Sequence, residues 1–237
     1  MTKQAPGPIV PVPAVVQAGV AAMVAPTRFQ IFVDFWNLQI TLNDYEAKAI
    51  GQGRASFQID WTKLPSVFVR EAVRMVDVKD FAFSGMLVFT SYNPASEPDR
   101  SHHKWATTWL HRQPGVHVSC VERKKRGRAR CQTCHMEIDR CPQPGCGASL
   151  EGTVEKGVDT AIATDMIRLA WEDAYDVAIL VTSDADLKPA VEFLGQKGVK
   201  VIQAGFPSHG IDLAAACWGS FNLFAKREDF RRRPVIR

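Results

Sequence analysis

The sequence has no apolar run long enough to span a bilayer, which excludes a membrane-spanning helix. It has no glycine-rich GxxxxGKS or GxxxxGKT segment, which removes nucleotide binding of the P-loop type. It shows no internal repeat. Nor does one sign of charge dominate: 29 Lys and Arg face 25 Asp and Glu, a formal net charge of +4. The apolar and charged fractions are those of an ordinary globular chain, and 237 residues are enough for one sizeable α/β domain or two small ones.

What the chain does have is unevenly placed. The run "RKKRGRAR" from Arg123 to Arg130 holds six cations in eight positions, and the chain ends "KREDFRRRPVIR". Basic clusters of this kind suggest a polyanionic partner, most simply nucleic acid. The terminal run, residues 226–237, reads as a solvated basic tail. The first 27 residues, rich in Pro, Ala and Val, read as a disordered arm with room for a brief helix. Ala14 to Ala25 resembles a short signal-peptide core. The proline-broken start, the single lysine and the reduced character of the clustered cysteines argue instead for a cytoplasmic protein.

Between arm and tail, apolar strand-like runs alternate with helical patterns. Strands are expected at Phe29–Val33, near Phe83–Phe89, over "VHVSCVE", at Val177–Val181 and at Val199–Gln203. Helices are expected after Asp60, which is a suitable N-cap, before Pro114-Gly115, at Val158–Trp171 and at Leu187–Gln196. A last helix and the stretch "FNLF" close a domain placed at 28–225. Continuous Val, Ile, Leu and Phe strands alternating with helices predict an α/β fold, a parallel sheet covered on both faces. One insertion interrupts it at 123–150.

In such a sheet, ligands sit outside the carboxyl ends of the strands. Asp34 ends the first strand, Asp184 and Asp186 follow "VAILV", and Asp159 opens the helix after the insertion. Four carboxylates from three distant segments should therefore meet at one rim. Oxygen ligands without His or Cys suit Mg²⁺ or Mn²⁺, and such ions serve phosphoryl transfer. Asp186 reads equally well as the cap of the helix beginning at Leu187, and Asp159 as a partner of its helix dipole.

The insertion contains "CQTCHMEIDRCPQPGCG". Cys131, Cys134, Cys141 and Cys146 fall within sixteen residues, a spacing suited to a tetrahedral Zn²⁺ site. Such a short polar segment cannot fold on an apolar core, so metal binding would supply its folding free energy. Cys120 and Cys217 read as small core residues. Arg123, Lys124, Lys125 and Arg126 precede the cysteines, and Lys156 stands close to Asp159. These residues would contact substrate phosphates. The module is then either a docking accessory or a staple for a long loop.

The segments "IFVDFWNL", "EKGVDTAIATDMIRLA", "AYDVAILVTSDADLKPAVEFL" and "GVKVIQAG" resemble the successive motifs of the NYN branch of the PIN-like ribonucleases. The resemblance covers most of Phe29 to Phe224. It implies a three-layer fold with a five-stranded, mostly parallel sheet and a Mg²⁺-dependent acidic site that hydrolyses RNA phosphodiesters. By motif, Asp34 is the acid of the first strand, and Asn37 helps to order it. Asp159 is the KGVD acid, Asp184 and Asp186 belong to the last acidic turn, and Ser183 is its hydroxyl neighbour. The chain departs from the pattern at Phe35-Trp36, which is bulky, at Ser183, where glycine is common, and at Leu187, where phenylalanine is common. The expected partner is RNA, with no membrane, and the oligomeric state is left open, a homodimer included. The alternative is an RNA-binding or regulatory module of the same fold with little turnover. A phosphatase with an Asp nucleophile on the first strand would want D-x-D, and Asp34-Phe35-Trp36-Asn37 does not supply it.

Overall fold

Residues 25–233 are described by a computed structural model; the expected arm up to residue 24 and residues 234–237 of the expected tail lie outside the described residues. Strand β1 (Thr27–Asp34) runs directly into α1 (Phe35–Ala49). There follow α2 (Leu64–Val76), β2 (Phe81–Tyr92), α3 (Glu97–Trp105) with a π-helical turn (Ala106–Leu110), and β3 (Val116–Glu122). The insertion contributes four two-residue strands, β4 (Lys124–Lys125), β5 (Ala129–Arg130), β6 (Glu137–Ile138) and β7 (Thr153–Val154). The chain then forms α4 (Val158–Trp171), β8 (Val177–Val181), α5 (Lys188–Gln196), β9 (Lys200–Gly205), α6 (Ile211–Ala216) and β10 (Gly219–Asn222).

The main sheet has the order β10-β9-β8-β1-β2-β3, with every pairing parallel. The expected α/β class holds, but the sheet has six strands rather than five. The sixth, β10, is the short segment "GSFN", which has no β-branched run and is held at the edge by pairing with β9. The 15-residue helix α1 was also not legible in the sequence. Its buried apolar positions, Phe35, Leu38, Leu42 and Ala47, fit a helical face, but they are thinly spread among polar residues.

Alternation along β1 divides the core into two layers. Phe29, Ile31 and Val33 pack with α1, α2 and the turn after α3, whereas Phe32 packs with α4, α5 and α6 on the other face. Strand β8, buried at all five positions, serves both layers.

The described part of the expected tail is part of this domain. Phe230 is fully buried, edge-on to Phe57 and Phe68 with ring centroids 5.8 and 5.9 Å away. Its carbonyl accepts the Asp60 amide at 2.8 Å, and Arg231 forms an antiparallel bridge with Ile59. The guanidinium groups of Arg227 and Arg231 neutralise the buried Glu46. One phenylalanine among arginines carries no periodicity, so its role as a core anchor is decided only by what surrounds it.

The insertion leaves the sheet on a two-stranded ribbon. Lys124 and Lys125 of β4 pair antiparallel with Thr153 and Val154 of β7, and beyond it β5 pairs with β6 in a hairpin. Among the described residues, no helix is long and apolar enough to cross a membrane.

Candidate active site

Strand order reverses between β1 and β8, which are neighbours with Val33 opposite Val181. Such a switch point opens a crevice at the carboxyl ends of the strands. Asp34 and the Thr182–Asp186 turn emerge there side by side.

Asp34 is the N-cap of α1, its Oδ1 accepting the Asn37 amide at 3.1 Å. Its Oδ2 accepts the Thr182 hydroxyl at 3.3 Å. Asn37 answers across the crevice: its Oδ1 accepts the Ser183 amide at 2.9 Å, tying α1 to the acidic turn. Asp184 Oδ1 accepts the Asp186 amide at 2.9 Å and so caps the 3₁₀ turn Ala185–Leu187. The capping role expected of Asp186 therefore belongs to Asp184, and the Asp186 side chain is exposed in that first turn. Asp159 lies in the first turn of α4, after Gly157 in a left-handed conformation.

Burial chiefly pushes the Asp34 carboxyl up to about 6, with the nearby Glu155 and Asp159 adding to the rise. Asp159 is also pushed up, first by burial and then by Asp184, Glu155 and Asp186. Asp34, Asp159 and a further acid, Glu155, thus lie within one another's electrostatic reach, and Asp184 and Asp186 act on Asp159. Glu155 also accepts a hydrogen bond from Ser91. In the ion pairs of the described residues the acids are always others, so these five carboxylates have no cationic partner there.

Four residues that position the site escaped sequence reasoning. Glu155 opens the "EKGVD" segment and could have been counted with Asp159. Thr182, which is buried, also receives the Asp184 amide on its hydroxyl, at 3.2 Å. Gln203, a buried amide in an otherwise apolar strand, donates to the Thr182 carbonyl at 3.0 Å; a polar residue in such a strand signals a required partner. Gly210 has φ +67°, and a Cβ there would lie 2.8 Å from Ser183 Cα, so the turn is pressed against a position that admits only glycine.

The donor set is all oxygen, as a hard divalent cation requires. The Ser183 hydroxyl is buried with no hydrogen-bond partner, an unsatisfied group beside the acids. Among the described residues, no three His, Cys, Asp or Glu side chains close to a metal-enclosing geometry.

Basic residues flank the rim. Lys124, Lys125, Arg126 and Arg128 line a cavity of about 810 Å³ with Arg123 and Asn93. Arg123 is half-buried; it donates to Ser91 Oγ at 2.9 Å and lies 5.2 Å over the Trp36 ring. Lys156 is exposed. Arg128 and Arg130 are engaged by Glu137 within the insertion.

Cys131 associates with Cys134 and Cys141 with Cys146, each pair in its own turn. The Cys131 thiol is held below its usual range by the amides of Cys134 and Thr133 and by the Cys134 thiol. The Cys146 thiol is lowered by the Ala148 amide and by Cys141. The residue after the second cysteine of each pair, His135 or Gly147, is left-handed at φ 58° and 56°. Cys120 and Cys217 are partly buried, each thiol pushed up by burial, to about 11 and about 12.

The NYN domain profile matches residues 28–222, most of the chain. The chain belongs to the NYN domain family. NYN domains are in general PIN-like nucleases, and the six-stranded parallel sheet is consistent with that fold. A crystal structure of a protein of unknown function from Vibrio parahaemolyticus is similar, with a TM-score of 0.50 and 16% identity over 87% of this chain and 97% of that one. At that identity the likeness concerns the fold alone. No curated protein matches the chain.

Proposed function

We propose that this NYN domain is a ribonuclease that hydrolyses RNA phosphodiester bonds with Mg²⁺ or Mn²⁺ held by Asp34, Asp159, Asp184 and Asp186. One observation supports the reading: at the sheet's switch point Asp34, Glu155 and Asp159 repel one another and Asp184 and Asp186 act on Asp159, with no cationic partner for any of the five among the described residues. Converging acids of this kind call for a cation. A bound divalent ion would activate water and offset charge on the phosphate.

The chain's own residues orient that chemistry. The Asn37 amide and the Thr182 hydroxyl hold the Asp34 carboxylate in one orientation. Asp184 Oδ1 is engaged by its cap, and Oδ2 would be left to take a cation. Ser183 offers a hydroxyl with no other partner. Lys124, Lys125, Arg126 and Lys156, with Arg123 at the inner end, would hold the phosphates of the flanking nucleotides.

The insertion would bind one structural Zn²⁺ through Cys131, Cys134, Cys141 and Cys146. The support is chemical: amide hydrogen bonds already favour the thiolate form at Cys131 and Cys146, the form that binds metal. Zinc would join the two cysteine turns and so fix the far end of the basic ribbon.

An RNA cleavage assay with added Mg²⁺ or Mn²⁺, comparing wild type with Asp34→Asn and Asp184→Asn, tests the site. Loss of cleavage in both variants is expected, and unchanged rates in both would overturn it. Binding of RNA by the wild type without metal-dependent cleavage would favour the regulatory module instead. Elemental analysis of the reduced protein should find one zinc per chain.

A further inference from the structure

Four of the six tryptophans, Trp36, Trp61, Trp105 and Trp109, gather on one side of the rim. Phe35, next to Asp34, stacks on Trp61 at 5.6 Å with 12° between the rings. His102 lies 4.4 Å from Phe35 and 4.9 Å from Trp36. His102, Trp105 and Trp109 are spaced as i, i+3 and i+7 along α3 and its π-helical turn, so they share one face. Their rings descend in steps of 5.8 and 5.9 Å, and the last two are stacked at 19°. Phe35 and Trp61 are buried, Trp105 is half-buried, and Trp109 is 43% exposed.

Phe35, Trp61, His102, Trp105 and Trp109 line a pocket of about 810 Å³, within the size range of ligand sites, with Trp36 packed behind Phe35 and His102. Its wall also carries the polar side chains of Gln39 and Ser101, and Arg232 and Arg233 stand at its edge. The Arg232 amide donates to the Gln58 carbonyl at 2.8 Å, which holds that end of the chain in place. Aromatic faces beside arginines are the means by which proteins hold unpaired bases: the rings stack on the base, and the cations follow the backbone. Core packing accounts for Phe35 and Trp61, but it does not account for a tryptophan pair whose outer member faces solvent.

We infer that this pocket is a stacking subsite for unpaired bases of single-stranded RNA, leading from the acidic crevice along His102, Trp105 and Trp109. The inference rests on the proposed RNA substrate. A duplex keeps its bases stacked on one another, so it cannot present them to this face.

The test is binding of the full chain to a fluorescent single-stranded oligouridylate and to the matching U·A duplex, without added divalent metal. The single strand should bind more tightly. Trp109→Ala should weaken its binding on the order of five- to a hundredfold, with Trp109→Phe restoring most of the loss. Trp171→Ala, at an exposed tryptophan at the end of α4, should leave binding unchanged. Wild-type affinity in both Trp109→Ala and Trp105→Leu, or duplex binding as tight as single-strand binding, would overturn the inference. A protein that passes this test yet cleaves nothing with Mg²⁺ or Mn²⁺ would lose the nuclease reading but keep the subsite. One that cleaves while Trp109→Ala binds normally would do the reverse. No binding of single-stranded RNA by the wild type would overturn both.

Discussion

Replacing Phe230 with alanine should cost about 3–5 kcal/mol, the usual loss for removing a buried phenylalanine. The ring is fully buried between Phe57 and Phe68, and the neighbouring backbone is fixed by the Asp60 amide and the Ile59–Arg231 bridge. These anchors prevent the chain from collapsing into the space left behind, which places the cost toward the upper end. For a domain of this size the loss lowers the melting temperature by roughly 6–20 °C. A point variant is more informative than truncation, because truncation would also strip Arg231 from Glu46. Urea unfolding monitored by tryptophan fluorescence reads the difference directly. Arg233→Ala, three residues further on, should stay within about 0.5 kcal/mol of wild type. If Phe230→Ala melts within about 2 °C of wild type, the last residues are a solvated tail after all. Arg232 and Arg233 would then have no fixed place beside the aromatic pocket.

Asp34→Asn should change the pH dependence of stability in buffer free of divalent metal. The folded value of about 6 against 3.8 amounts to about 3 kcal/mol at most. Because the folded pKa is raised, the associated stability is present in full below about pH 4 and lost as pH rises through 6. Relative to wild type, the variant should therefore gain stability between about pH 4 and pH 7.5; parallel stability curves across that range would refute the burial argument. Charge removal at Lys124, Lys125 and Arg126 together should lower the slope of log affinity for single-stranded RNA against log salt by about 2, and an unchanged slope would take these residues off the substrate path. Gly210→Ala forces a left-handed residue and a clash onto the Ser183 turn, so cleavage should fall on the order of a hundredfold while circular dichroism stays native. A fully active variant would show that the turn tolerates displacement.

Much of this molecule is readable without coordinates. The strand at β8, buried on both faces, announces itself as a continuous apolar run, and α4 and β3 fall where their patterns place them. Asp34 stands out because a carboxylate directly after an apolar strand needs a reason to be there, and Asp184 because it follows the apolar run of β8 in the next turn. Elements with diluted patterns are not readable. In α1, four buried apolar positions are scattered among polar ones, and β10 is four residues without a β-branched side chain.

The sequence by itself determined the alternation of strands and helices, the acids at strand ends and the cysteine spacing, because each is a local pattern. Only the tertiary structure decided which acids face one another, that Glu155 joins them, that Asp184 rather than Asp186 caps its turn, and that Phe230 belongs to the core. The reason is strand order. Pairing β8 beside β1 brings residues 148 positions apart into hydrogen-bond contact at Thr182 and Asp34, and no local pattern encodes which neighbour a strand will take.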